Sequence, residues 1–135
     1  MLKKILRLLF VSVLLLALFA CKPSEPANLE GEWKQTNNNS EDSWQVATID
    51  SQTITIYWVS DNGDSKALYW AGSFIAPSTT DEPYSWDSKN DFSKTDSAML
   101  ASGDETKKMT YEKGEISYSV SAFGITTTVR LKKQN

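Results

Sequence analysis

Histidine is absent from the chain, and cysteine occurs once, at position 21. The first absence removes the side chain that most often serves as general base near neutral pH and as metal ligand. Ser-His-Asp and Cys-His nucleophile arrangements and zinc-type sites are excluded with it. A single cysteine forbids an intrachain disulfide, so the folded part must hold together by burial and backbone pairing alone. Basic clusters are missing too, since 14 Lys and Arg are outnumbered by 17 Asp and Glu. Phosphate neutralisation needs clustered Lys and Arg, so no nucleic-acid partner is expected. The acids single out no site either. No spacing marks a carboxylate pair for glycoside hydrolysis. Asp81, Glu82, Asp87, Asp91 and Asp96 lie close together, but their stretch contains no glycine for the bend of a calcium loop. They read as a solvated acidic face. Neither an enzyme nor a cofactor is expected.

What is present begins with the first 21 residues, MLKKILRLLFVSVLLLALFAC. Lys3, Lys4 and Arg7 precede an apolar run from Leu8 to Ala20 whose one polar residue is Ser12. A basic start, a short apolar run and a small residue at the cut make an export signal. The run is shorter than the roughly 20 residues that a bilayer span needs. Leu18-Phe19-Ala20-Cys21 resembles a bacterial lipobox, with Phe19 bulkier than is usual there. The resemblance implies diacylglycerol on the Cys21 sulfur, cleavage before Cys21, and retention by lipid on the outer face of the cell membrane. Three of the basic residues and no acid fall in the signal, so the remainder carries a charge of about −6. Such a domain does not lie flat on anionic lipid, which attracts polybasic segments; the lipid anchor must do the holding. Residues 22–28, with Pro23 and Pro26, read as a tether. At about 3 Å per residue it keeps the domain within roughly 20 Å of the lipid.

From residue 29 to 135 the hydrophobic pattern has period two, the mark of half-buried strands. Strands are expected at 29–34, 44–49, 53–59, 66–74, 84–87, 97–102, 106–112, 115–121 and 125–132. Asp61-Asn62-Gly63-Asp64 marks a hairpin, because Asn-Gly accepts positive φ. Lys89–Thr95 reads as a turn or a single helical turn with Phe92 as a plug. Short strands at even spacing with turn signals between them predict an all-β fold, a small antiparallel meander barrel of eight or nine strands.

The aromatics are the candidate binding residues. Alternation places Trp33, Trp58 and Trp70 inward with Ile54, Ile56, Leu68, Phe74 and Tyr118, and places Tyr57 and Tyr69 outward. The inward set reads as core, or as the lining of a cavity for an apolar ligand. The outward tyrosines read as exposed sheet face or as partner contacts.

Gly31-Glu32-Trp33 resembles the G-x-W motif of lipocalin-like barrels. That likeness implies a tryptophan closing the barrel floor, with a last-strand arginine, here Arg130, packed on it. More broadly, GEWKQTNNNSEDSWQVATI, ITIYWVSDNGDSKALYWAGSF and YSWDSKNDFSK resemble small surface lipoproteins of Gram-positive bacteria and their prophages. The likeness implies a lipid-anchored, non-enzymatic β protein and assigns no site residues. Three expectations follow. The first is a binding module acting on a protein partner at the cell surface, in its most concrete form excluding phage or conjugative DNA. The second is a binder of a small apolar ligand inside the barrel. The third is an inhibitor of a wall-degrading enzyme, with loop 36–43 or 77–83 as the plug.

Overall fold

The computed structural model describes residues 24–135, and the lipidation expected at Cys21 lies outside the described residues. Eight strands are present: β1 (Gly31–Gln35), β2 (Trp44–Ile49), β3 (Thr53–Ser60), β4 (Ser65–Ser73), β5 (Tyr84–Lys89), β6 (Thr106–Glu112), β7 (Glu115–Ala122) and β8 (Ile125–Lys133). They pair antiparallel in the order β4-β3-β2-β1-β8-β7-β6-β5. Every strand lies beside its neighbour in sequence, and β8 returns to β1, so the meander rolls into a nearly closed barrel. The alternation read from the sequence places most inner-face residues correctly. Ala47 and Ile49, Ile54 and Ile56, Ile116 and Tyr118, and Val129 and Leu131 are all buried. Trp44 and Val46 share the outer face of β2, because Gln45 and Ala47, which alternate with them, are buried. At the β3–β4 turn Asn62 and Gly63 take φ of 55° and 102°, as the Asn-Gly pair predicts.

A bulge departs from simple alternation. Ile56 pairs with Trp70 and Tyr57 with Leu68, so Tyr69 faces no cross-strand partner. An extra residue in one strand resets the side-chain parity beyond it. Tyr69 and Trp70 are therefore both buried, whereas Leu68, expected inside, is only half-buried beside outward Tyr57.

The two barrel ends differ. At the end where the chain enters β1, Leu29 and Ala27 pack against the core beneath Trp33, Tyr84 and Tyr111. The Trp33 indole N–H donates to the Leu29 carbonyl at 2.9 Å, and its ring meets Tyr111 edge-on. The crevice left between Ala27, Pro77, Tyr84 and Tyr111 measures only about 20 Å³. Trp33 thus helps to close the floor, as its motif implies. Arg130, expected to pack on it, is exposed instead, since Val129 and Leu131 on either side take the inner face.

Between β4 and β5 the barrel has a seam with one bridge, Gly72 to Asn90. Side chains close the rest. Trp70 Nε1 donates to Ser88 Oγ at 2.9 Å, and the Lys89 amide donates to Ser73 Oγ at 2.9 Å. The strand expected at 97–102 does not form. Residues 90–105 run as a strap across the β4 edge, carrying one helical turn at Phe92–Thr95. The Asp91 amide donates to the Ala71 carbonyl at 2.8 Å, and the Ser102 amide to the Tyr69 carbonyl at 2.9 Å. Asn90 ties the strap, its amide donating to Ser102 O at 3.2 Å and Asp104 O at 2.8 Å. Phe92 plugs nothing: its side chain faces solvent.

Candidate functional site

The five aromatics singled out in the sequence are not gathered in one place. Trp33 lies on the floor. Trp70 is fully buried at the seam, its N–H satisfied by Ser88. Tyr57 stands half-buried on the outer face with the Lys66 ammonium 4.8 Å above its ring. Tyr69, expected outward, is 5% exposed and faces in because of the bulge. It meets Trp58 edge-on with ring centroids 5.3 Å apart. Trp58 and Tyr69 are therefore the pair that forms part of a site.

That site is the mouth, at the end opposite the floor. The β3–β4 and β7–β8 turns and the strap all reach this end, because antiparallel pairing sends alternate connections there. A pocket of about 460 Å³ opens among Trp58, Tyr69, Leu100, Ala101, Ser102, Val120, Ser121, Ala122 and Phe123. Its rim is apolar and wet. Phe123 is 104% exposed and Met99, beside Leu100, is 96% exposed; Leu100 and Ile125 are more than half exposed. Phe123 sits in the β7–β8 turn with φ of 52°, a left-handed conformation that is costly for a bulky side chain. A turn of this kind favours glycine or asparagine, so the turn itself does not call for a phenylalanine.

Beneath the pocket the interior changes character. Tyr69 stacks on Tyr118 at 6.4 Å, and the Tyr118 hydroxyl donates to the Gln45 carbonyl oxygen in a short hydrogen bond. Burial, and secondarily the neighbouring Tyr69, raises the Tyr118 hydroxyl well above the usual tyrosine range, so it stays a donor. Gln45 is 0% exposed and its Nε2 has no partner. Deeper still, Trp33, Trp70, Ile54, Ile56, Met109, Ile116 and Leu131 fill the centre.

One wall of the mouth is polar. The β6–β7 ladder runs only from Thr110–Ser117 to Glu112–Glu115; above it the strands part. A cleft of about 200 Å³ lies there, lined by Asp104, Thr106, Lys107, Lys108, Ser119 and Ser121. Lys107 faces inward opposite Ser88, with its side chain 6% exposed. Its ammonium lies 5.4 Å from the Tyr69 ring and 5.3 Å from the Trp70 ring. It donates to Asp104 Oδ2 at 2.9 Å and to the Ser119 carbonyl at 3.3 Å. Those contacts, with the Ser102 hydroxyl, hold the Asp104 carboxyl below the usual carboxylate range. Among the described residues no group of three or more acidic, cysteine or histidine side chains is placed to hold a metal ion.

Sequence reasoning missed Leu100, Phe123, Lys107 and Gln45. Met99 and Leu100 were assigned to a strand that does not form. For Phe123 the available signal is a phenylalanine beside Gly124 between two strands, where a turn falls. Lys107 and Gln45 carried none, because a polar residue at an inward position is indistinguishable from a register error without the ladder. Fold and site together define a small meander barrel, closed at one end and bearing an apolar, aromatic mouth at the other. No protein-family model matches the chain, and comparison with curated proteins and with solved structures finds no significant likeness.

Proposed function

We propose that this chain is a lipid-anchored, non-enzymatic binding module of the bacterial cell surface that engages a membrane-proximal protein partner through its barrel mouth. The observation that carries the reading is an aromatic pocket lined by the exposed Phe123 and Leu100, with Met99 and Ile125 exposed close to them in sequence. Solvated apolar surface concentrated in this way is characteristic of contact surfaces, and aromatic anchors dominate binding energy where they are buried. The floor receives the chain from the tether side, so the mouth faces away from the anchor. Eight residues of β3 rise about 26 Å, and the tether adds about 20 Å. The mouth is thus held within about 50 Å of the lipid, the zone occupied by the outer portions of membrane proteins. A filled barrel centre favours this reading over a cargo carried in the interior. The resemblance to prophage-type lipoproteins supports exclusion of phage or conjugative DNA as the biological outcome, by occupation of a surface protein needed for DNA uptake.

The test compares cells producing the wild-type chain, Cys21→Ala, and Phe123→Ser/Leu100→Ser, with cells lacking it. Chemical crosslinking should capture one membrane protein with the wild type and lose it with the mouth variant. Phage or transconjugant counts should fall only with the wild type. Capture that is indifferent to the mouth substitutions would refute the assignment of the surface. Equal counts in all four strains would refute exclusion.

A further inference from the structure

We infer that the mouth reads an amphipathic anion: an apolar side chain of the partner seated in the aromatic pocket, with an adjacent carboxylate directed to Lys107. This deepens the proposed function and rests on the mouth being the contact surface. The two compartments adjoin, since Ser121 lines both the apolar pocket and the polar cleft. Tyr69 joins them as well, lining the pocket and lying 5.4 Å from the Lys107 ammonium.

The donor count points to an incoming acceptor. The Lys107 ammonium carries three N–H groups and lines the polar cleft. Lys107 has Asp104 and one carbonyl, and Asp104 is 62% exposed on the solvent side of the cleft. A carboxylate entering from the mouth would take up free donor capacity without displacing a buried acceptor. The gap between β6 and β7 has the same sense. The strands part where Lys107 needs access to the cleft, and Lys108 adds a second positive charge at its edge. With two lysines against the single Asp104 carboxylate the cleft keeps a local excess of positive charge, and in a chain this acidic such a site is selective and not a general attraction for anions.

The closed floor identifies the source. Below the mouth the barrel is packed with side chains, so a long acyl chain has no channel to follow. A pocket of about 460 Å³ suits an apolar side chain on a protein segment.

The experiment uses the full-length protein in phosphatidylcholine nanodiscs, with the indole N–H resonance of Trp58 as reporter. The probes are 4-phenylbutyrate, 4-phenylbutan-1-ol and 4-phenylbutylamine, with dodecanoate as the long-chain arm. Phenylbutyrate should bind about tenfold tighter than the alcohol, as a charge-assisted hydrogen bond provides, and tighter still than the amine. Lys107→Met should abolish that preference while leaving the alcohol's affinity unchanged, and Lys107→Arg should keep it. Equal affinity for the three probes, no shift at Trp58 with any of them, or a preference surviving in Lys107→Met would overturn the inference. Much tighter binding of dodecanoate would also overturn it, by assigning the site to a free acyl ligand. Partner capture lost with Phe123→Ser/Leu100→Ser but intact with Lys107→Met would overturn the anion site alone and leave the proposed function standing.

Discussion

Gly72→Ala is the sharpest test of how this barrel closes. Gly72 sits at the single bridge of the seam. A Cβ there would run into Ser88 Oγ and lie 2.6 Å from Trp70 Nε1 and 2.7 Å from the Lys89 carbonyl. The carbonyl belongs to the backbone of β5 and cannot swing aside. Overpacking of this kind costs about 1–3 kcal/mol. Separating Trp70 from Ser88 strands a buried indole N–H for about 1–3 kcal/mol more. The sum, about 2–6 kcal/mol, is a large share of the roughly 5–15 kcal/mol that holds a domain together. At roughly 4 °C per kcal/mol it corresponds to a fall of about 8–24 °C in Tm. Urea unfolding followed by near-ultraviolet circular dichroism measures it. Gly103→Ala is the control, because nothing lies within 4 Å of a Cβ at that position, and it should shift stability by less than about 0.5 kcal/mol. A Gly72→Ala protein as stable as that control would refute the close-approach argument, and with it the view that side chains and not a ladder hold the seam.

Three other outcomes follow from the same structure. Trp33→Ala should cost about 3–5 kcal/mol, read by urea titration, because it empties the floor and strands the Leu29 carbonyl. Tyr118→Phe should cost about 1–2 kcal/mol by leaving both polar ends of the buried Gln45 side chain unpaired, whereas Gln45→Leu/Tyr118→Phe should recover most of that loss; a double variant no more stable than Tyr118→Phe would contradict it. Asp104 and Asp91 both have carboxyls held below the usual carboxylate range, Asp104 chiefly by Lys107 and Asp91 chiefly by the Ser93 hydroxyl. A carboxyl depressed in the fold stabilises it above the ordinary value and loses that contribution as pH falls through the folded value. The strap should therefore loosen below about pH 4, seen as faster amide exchange at Ser102 than in the β2–β3 ladder, and Asp104→Asn should abolish much of that pH dependence.

Period-two patterning made the barrel legible because each strand has one wet face and one dry face, and Ile116-Ser117-Tyr118-Ser119-Val120 leaves no other reading. The mouth was less legible for three physical reasons. A bulge is invisible to alternation, and the one at Tyr69 exchanges the faces of Leu68 and Tyr69. An edge can be covered by two backbone bonds from a strap, which has no periodicity to detect; residues 90–105 do this through Asp91 and Ser102, and a strand was expected at 97–102. Finally, an inward lysine such as Lys107 is tolerable only because two rings from β4, a carbonyl from β7 and the nearby Asp104 carboxylate meet it. That convergence exists only in three dimensions.

The place of β1 in the sheet has a mechanical consequence. Its residues pair with β2 on one side and β8 on the other, and it is the strand through which the chain leaves toward the tether. A partner held at the far end would pull along the strand axis, at right angles to the hydrogen bonds of both ladders. Such a load shears the bonds of two ladders together instead of unzipping them one by one. Under the proposed anchoring the load enters through a strand braced on both sides, so tension between lipid and partner should release the partner at the mouth before it extracts β1 from the barrel.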